Sequence, residues 1–174
     1  NDGQVNFIFL GSLTKNKGVY ELIDVFSEIN KYTKNFKINF LGESPNMNKV
    51  IEYAKDNLNE NSFHFYGFVK NPFNHLSNND YLIHPSFSEG QSRSVLESLY
   101  FGLPVIIRKE LSENLVIKNV NGYIFKNKKE LIKILLNIIN NKTSIRKNIN
   151  LLPKDFREDN VMNEYYKLLN KINS

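Results

Sequence analysis

The chain has 174 residues, 41% of them hydrophobic, with 23 Lys and Arg against 18 Asp and Glu and a formal net charge of +5. That length and apolar content suit one folded domain with its own core and exclude a disordered chain. No apolar run approaches the ~20 residues that cross a bilayer, and the lack of cysteine excludes disulfides and thiolate metal sites and is compatible with a reducing cytoplasm.

The opening NDGQVNFIFLGS has no Met and no basic segment ahead of an apolar core. It is not a signal peptide, and it reads as the start of a piece of a longer chain. The basic balance suits a phosphate-bearing ligand, nucleic acid or an anionic membrane surface. Lys and Arg are scattered, and the nearest cluster, KNKKE from Lys126 to Glu130, reads as the polar start of a helix, so nucleic acid is poorly supported.

In chain order, VNFIFLG (Val5 to Gly11) is a β-rich run that ends in glycine. GVYELIDVFSEINKY follows with Val19, Leu22, Ile23, Phe26 and Ile29 on one helical face. KINFLG is a second strand, MNKVIEYAKDNL a helix, and FHFYGFV (Phe63 to Val69) a third strand. PFNHLSNN is a short helix with Pro72 in its first turn. YLIHPS is a fourth strand, SRSVLESLYFG a helix stopped by Gly102 and Pro104, VIIR a fifth strand and GYIF a sixth. KELIKILLNIIN and NVMNEYYKLLNKI are closing amphipathic helices. Strands that alternate with helices and lack tight hairpin turns predict βαβ units and a parallel sheet. Strands this apolar predict helices on both faces. The expected architecture is a single doubly wound, Rossmann-like α/β domain over residues 1–174, with about six strands and its ligand at their C-terminal ends.

Three of those strand ends carry candidate chemistry. The first gives GSLTKNKG: Gly11 leaves the strand, and Lys15 and Lys17 can reach a phosphate near the helix N-terminus, or be a solvated turn. The loop matches neither G-x-G-x-x-G nor the phosphate loop with Gly-Lys-Ser/Thr. After the third strand, Gly67 marks a sharp turn or a close backbone approach. The fourth gives PSFSEGQSRSVLE, with Glu89 ahead of a helix and Glu97 inside it. Side chains on a helix lean toward its N-terminus, so Glu97 can face the crevice. Two carboxylates there would accept from sugar or ribose hydroxyls, and backbone N–H groups from Gly90, Gln91 and Ser92 would suit a pyrophosphate. The plainer alternative is that Glu89 caps the helix and Glu97 makes a surface pair. His64, His75 and His84 read as packing or turn residues.

The order FLGSLTKNKGVYELIDVF, NFLGES, FHFYGFV, PSFSEGQSRSVLESLYFGLPVI and NVNGYIF resembles the C-terminal, donor-binding half of the GT-B glycosyltransferases of family 4, the group 1 transferases. The likeness runs from about Val5 to about Asn140, and its most specific part is Glu-x7-Glu followed by Gly-Leu-Pro-Val. It implies a retaining transferase that moves a sugar from a nucleotide-diphosphate donor to a glycan or lipid-linked acceptor in bacterial surface polysaccharide synthesis. Glu89 would bind hydroxyls of the transferred sugar, Glu97 the ribose, and Lys17 the donor's phosphates. Backbone at Gly90, Gln91 and Ser92 would contact sugar and diphosphate, Gly11 and Ser12 would lie at the phosphates, and Phe68 and Val69 beside the base. The family commonly has Arg where Ser12 stands, a place that Lys15 or Arg93 would fill. An Arg at the place of Arg93 also occurs in a bacterial polysaccharide-synthesising subset.

The resemblance further implies no metal or cofactor and an acceptor site in an N-terminal domain preceding Asn1. It places the protein in the cytoplasm, with peripheral contact at the inner face of the membrane left open. Alternatives are a non-catalytic nucleotide-sugar-binding domain, a sugar-nucleotide 2-epimerase of the same architecture, or a plain phosphate-binding or protein-interaction module.

Overall fold

The computed structural model describes residues 3–90, 92–112, 115–145 and 151. The six expected strands are present as β1 (Val5–Leu10), β2 (Phe36–Leu41), β3 (Phe63–Gly67), β4 (Tyr81–His84), β5 (Val105–Arg108) and β6 (Gly122–Phe125). Between and after them run α1 (Val19–Ile29), α2 (Met47–Asn57), α3 (Phe73–Ser77), α4 (Arg93–Tyr100) and α5 (Lys128–Ile139). All pairings are parallel, and the strand order is β3-β2-β1-β4-β5-β6. The order reverses between β1 and β4, the place where a doubly wound sheet opens a crevice at its carboxyl edge.

Alternation along the strands splits the core in two. Phe7, Phe9, Ile38, Phe40, Ile83 and Ile106 pack with the buried faces of α1, α2 and α5. Ile8, Leu41, Leu82, Val105 and Ile107 pack on the other side with Leu76, Val95, Leu96 and Leu99 of α3 and α4. The predicted apolar face of α1 is fully buried, with Val25 added to it. Phe26 lies between Phe7 and Phe36, with ring centroids 5.5 and 5.0 Å away. At the start of α5, Asn127 Oδ1 accepts from Glu130 N (3.0 Å) and Glu130 Oε2 accepts from Lys126 N (2.9 Å), so the KNKKE cluster is a helix cap.

Two strands end two residues earlier than the sequence reading has them. β3 stops at Gly67, whose φ of +70° turns the chain out of the sheet, so Phe68 and Val69 lie beyond the strand. β4 stops at His84, because Pro85 has no N–H to continue the ladder. The helix expected in NVMNEYYKLLNKI falls outside the described residues.

The loops after β1 and β2 meet backbone to backbone. A Cβ at Gly42 would fall 1.9 Å from the Gly11 carbonyl oxygen, and φ at Gly42 is +137°. Gly42→Ala should therefore lower stability by about 2 kcal/mol or more, and Phe26→Ala by about 3–5 kcal/mol. Urea unfolding monitored by circular dichroism reads both, and an unchanged midpoint in either variant would contradict the packing described.

Candidate functional site

A cavity of about 660 Å³ opens at the carboxyl ends of β1, β2 and β4. Gly11, Ser12 and Lys17 reach it from the β1–α1 loop, Gly42 and Glu43 from the loop after β2, and Phe68, Val69 and Lys70 from the loop after β3. His84, Glu89, Ser92, Arg93, Ser94 and Glu97 reach it from β4, the following loop and α4. Four chain segments thus converge on one crevice.

Local backbone rules place these side chains. In the β1–α1 loop, Lys17 N donates to Thr14 O (3.1 Å) and Gly18 N to Lys15 O (3.0 Å), so the chain coils tightly before the helix. Gly18 sits at φ +76°, and a Cβ there would lie 2.6 Å from Pro85 O. The loop after β4 docks against this coil, with Phe87 N donating to Asn16 O at 3.0 Å and Ser86 Oγ to the same carbonyl at 3.4 Å. Lys17 and Glu89 are brought together in consequence.

Lys17 Nζ donates to Glu89 Oε1 at 2.8 Å. His84 Nε2 lies 3.1 Å from the same oxygen, although its N–H is not aimed along a regular hydrogen bond. The Glu89 side chain is largely buried, which alone would raise its pKa. His84 first, and then Lys17, outweigh burial and hold the carboxyl down at about 2, so it is ionised at neutral pH. Glu89 is therefore not a helix cap: the residue ahead of α4 is Ser92, whose hydroxyl lies 3.1 Å from that of Ser94. The first N–H groups of α4 are left without intrahelical acceptors by their position. Glu97 is only 8% exposed and lines the cavity, so it faces the crevice rather than the open surface.

The sequence-predicted residues divide as follows. Lys17, Glu89, Glu97, Gly11, Ser12, Ser92, Arg93, Phe68 and Val69 share the cavity. Lys15 and Gly90 are exposed and do not line it, because the coil before α1 sends Lys17, not Lys15, toward the crevice. Gln91 lies outside the described residues. Phe68 is 70% exposed, an aromatic face presented at the cavity wall. Sequence reasoning missed His84, Glu43 and Lys70. The signal available for His84 was its position as the last residue of β4, on the ligand side of the sheet. Among the described residues, no group of three or more His, Asp or Glu side chains is placed to hold a metal ion. Among the same residues, no helix is long and apolar enough to cross a membrane.

The fold and crevice define a doubly wound α/β domain of the kind that forms the GT-B glycosyltransferases. The chain belongs to the glycosyl transferases group 1 family, whose model matches residues 1–152. It is 34% identical over 100 residues to an uncharacterized glycosyltransferase of Methanocaldococcus jannaschii, covering 58% of this chain and 25% of that protein. It is 29% identical over 140 residues to the alpha-monoglucosyldiacylglycerol synthase of Acholeplasma laidlawii, covering 77% and 34%. The chain thus spans between a quarter and about a third of the length of these relatives. Among solved structures, a lipopolysaccharide outer core galactosyltransferase superposes with a TM-score of 0.75 at 19% identity, covering 83% of this chain and 42% of that one. Anabaena HepE in complex with UDP-glucose gives 0.69 at 20%, covering 80% and 40%. The C-terminal domain of a group 1 family protein from Francisella tularensis gives 0.68 at 20%, covering 79% and 77%.

The pKa of Glu89 sets a pH dependence. A carboxyl depressed in the folded state contributes stability that is present above its ordinary value of 4.5 and lost as pH falls toward about 2. Glu89→Gln should therefore be less stable than wild type at neutral pH, with the difference shrinking across that acid window. Thermal melts at a series of pH values read the difference, and a gap that is constant with pH would contradict the assignment.

Proposed function

We propose that this domain binds a nucleoside diphosphate sugar as donor for glycosyl transfer. The observation that carries the reading is the meeting of Lys17 and Glu89 at 2.8 Å in a crevice that also takes Glu97, Phe68 and the start of α4. In this reading Glu89 accepts from hydroxyls of the transferred sugar and Glu97 from the ribose. Phe68 and Val69 flank the base. Lys17 and the first N–H groups of α4 meet the diphosphate, whose negative charge grows as the bond to the sugar breaks. This arrangement neutralises the leaving group without a metal ion. Arg93, which lines the cavity where Lys15 does not, is the cation we assign to the place that Ser12 leaves empty of charge. The complex of the similar Anabaena HepE with UDP-glucose supports the donor class.

The same proposal makes this domain one half of an active site. The acceptor site and any further catalytic side chain would come from an N-terminal domain, consistent with matched stretches that cover only 25% and 34% of the relatives. The reaction would retain configuration at the anomeric carbon and deliver the sugar to a glycan or lipid-linked acceptor in surface polysaccharide synthesis, in the cytoplasm. A second groove, at the β6 edge, is lined by Lys109, Lys118, Lys126 and Lys133. It is the surface we assign to peripheral contact with an anionic bilayer.

Isothermal titration of the chain with UDP, GDP and ADP tests the donor reading. At least one should bind, and Lys17→Met should weaken it by about tenfold or more, as expected for loss of a charge-assisted bond to phosphate. No affinity for any of them at about 1 mM would overturn the reading. For the basic groove, co-sedimentation with vesicles rich in anionic lipid should be lost in high salt. Equal recovery on neutral vesicles would argue against it.

A further inference from the structure

Arg108 is the last residue of β5 and only 7% exposed, yet it does not line the cavity. Its guanidinium makes four contacts at once. Nε donates to Pro85 O at 3.2 Å, and Nη2 pairs with the Glu21 carboxylate of α1. The group lies 4.2 Å over the Phe87 ring and 5.1 Å from the Phe125 ring centroid. Pro85 O is also the oxygen against which Gly18 packs. One buried cation therefore touches both segments whose relative position sets the Lys17–Glu89 distance. Glu21 belongs to the helix that follows Lys17, and Pro85 and Phe87 lie between His84 and Glu89.

Packing alone does not call for a charge here. The preceding β5 residues are apolar and fully buried, and removing a guanidinium from water is costly unless its fork is satisfied. What Arg adds over an apolar side chain or Lys is a rigid planar fork that bonds in two directions while its faces stack on aromatic rings. Phe87, 49% exposed, is held by that stacking rather than by burial.

We propose that Arg108 is a positioning residue for the crevice, fastening the His84–Glu89 segment to the start of α1 and thereby fixing Glu89 between Lys17 and His84. Its consequence for donor binding rests on the donor reading above, whereas its effect on Glu89 does not.

The experiment compares wild type with Arg108→Met, Arg108→Lys and Glu21→Gln, with Ile138→Val in the remote core as a control for lost stability. Carboxyl NMR of Glu89 at pH 4.5, the ordinary midpoint, is the first readout. Glu89 should stay ionised in wild type and in Ile138→Val and become partly protonated in Arg108→Met, with Arg108→Lys and Glu21→Gln between. The second readout is titration with UDP-glucose, where Arg108→Met should weaken affinity by about tenfold and Ile138→Val by less than about twofold. If Arg108→Met does not fold, Glu21→Gln decides, since it removes the charge from the tie to α1 and leaves the strand unchanged. A folded variant in which Glu89 remains fully ionised overturns the proposal, as does a loss that merely follows the melting temperature in the control. If wild type binds no nucleotide sugar, the donor reading fails while the NMR comparison still judges Arg108.

Discussion

The pairing of β1 with β4 is the constraint on which the rest of the site depends. Only Phe7 with Tyr81 and Ile8 with Leu82 stand in register, and the start of the pair is fastened by two bonds between Asn6 and Asp80, each 2.7 Å. These residues are 74 positions apart in the chain. A parallel pair cannot be closed by a hairpin, so the chain must travel through α1, β2, α2, β3 and α3 before it returns. Because it returns beside β1, the loops after both strands leave the same edge of the sheet side by side. The bonds from Phe87 and Ser86 to Asn16, and the contact of Gly18 with Pro85, all follow from that adjacency.

Charge in the crevice is arranged so that burial does not neutralise it. Glu89 sits in a setting that disfavours ionisation, and it stays ionised because His84 and Lys17 face one of its oxygens. Glu97 brings a second buried carboxylate to the same cavity. Lys17, Lys70 and Arg93 supply the cationic side of the wall. A site of mixed sign in a chain of net charge +5 offers hydrogen-bond acceptors for hydroxyls and donors for an anion within one crevice.

Much of this was legible in the amino-acid order, for reasons that differ by element. The α1 face from Val19 to Ile29 shows a helical period that packing cannot disguise. β4 and β5 are runs of four buried residues with helical patterns on both sides, which is the mark of central parallel strands. Glu89 and Glu97 stood out because acids are costly next to an apolar strand and inside a buried helix. Spacing alone did not separate Lys15 from Lys17, since the choice depends on the coil of a short loop without periodicity; the family resemblance picked Lys17. His84 was hidden for a related reason: a lone His at the end of an apolar strand has no pattern, and its partner is identified only by how the following loop turns back. Arg108 was harder still, because Glu21 lies 87 positions away and its other acceptor is a backbone carbonyl. Strand order, and with it the convergence of the loops, is a property of the whole chain that no local window contains.

The long separation between β1 and β4 also bears on how the chain acquires its shape during synthesis. β2 and β3 lie on one side of β1, so without β4 the chain through β3 would give a three-stranded half-sheet with α1 and α2 on one face. In that half-sheet β1 is an edge. Its far side presents unpaired N–H and C=O groups beside Phe7, Ile8 and Phe9, the kind of edge that invites pairing with another chain. A strand that is an inner strand of the native sheet is thus an open edge until β4 pairs with it, and that one pairing both closes the edge and brings the loop after β4 to the crevice.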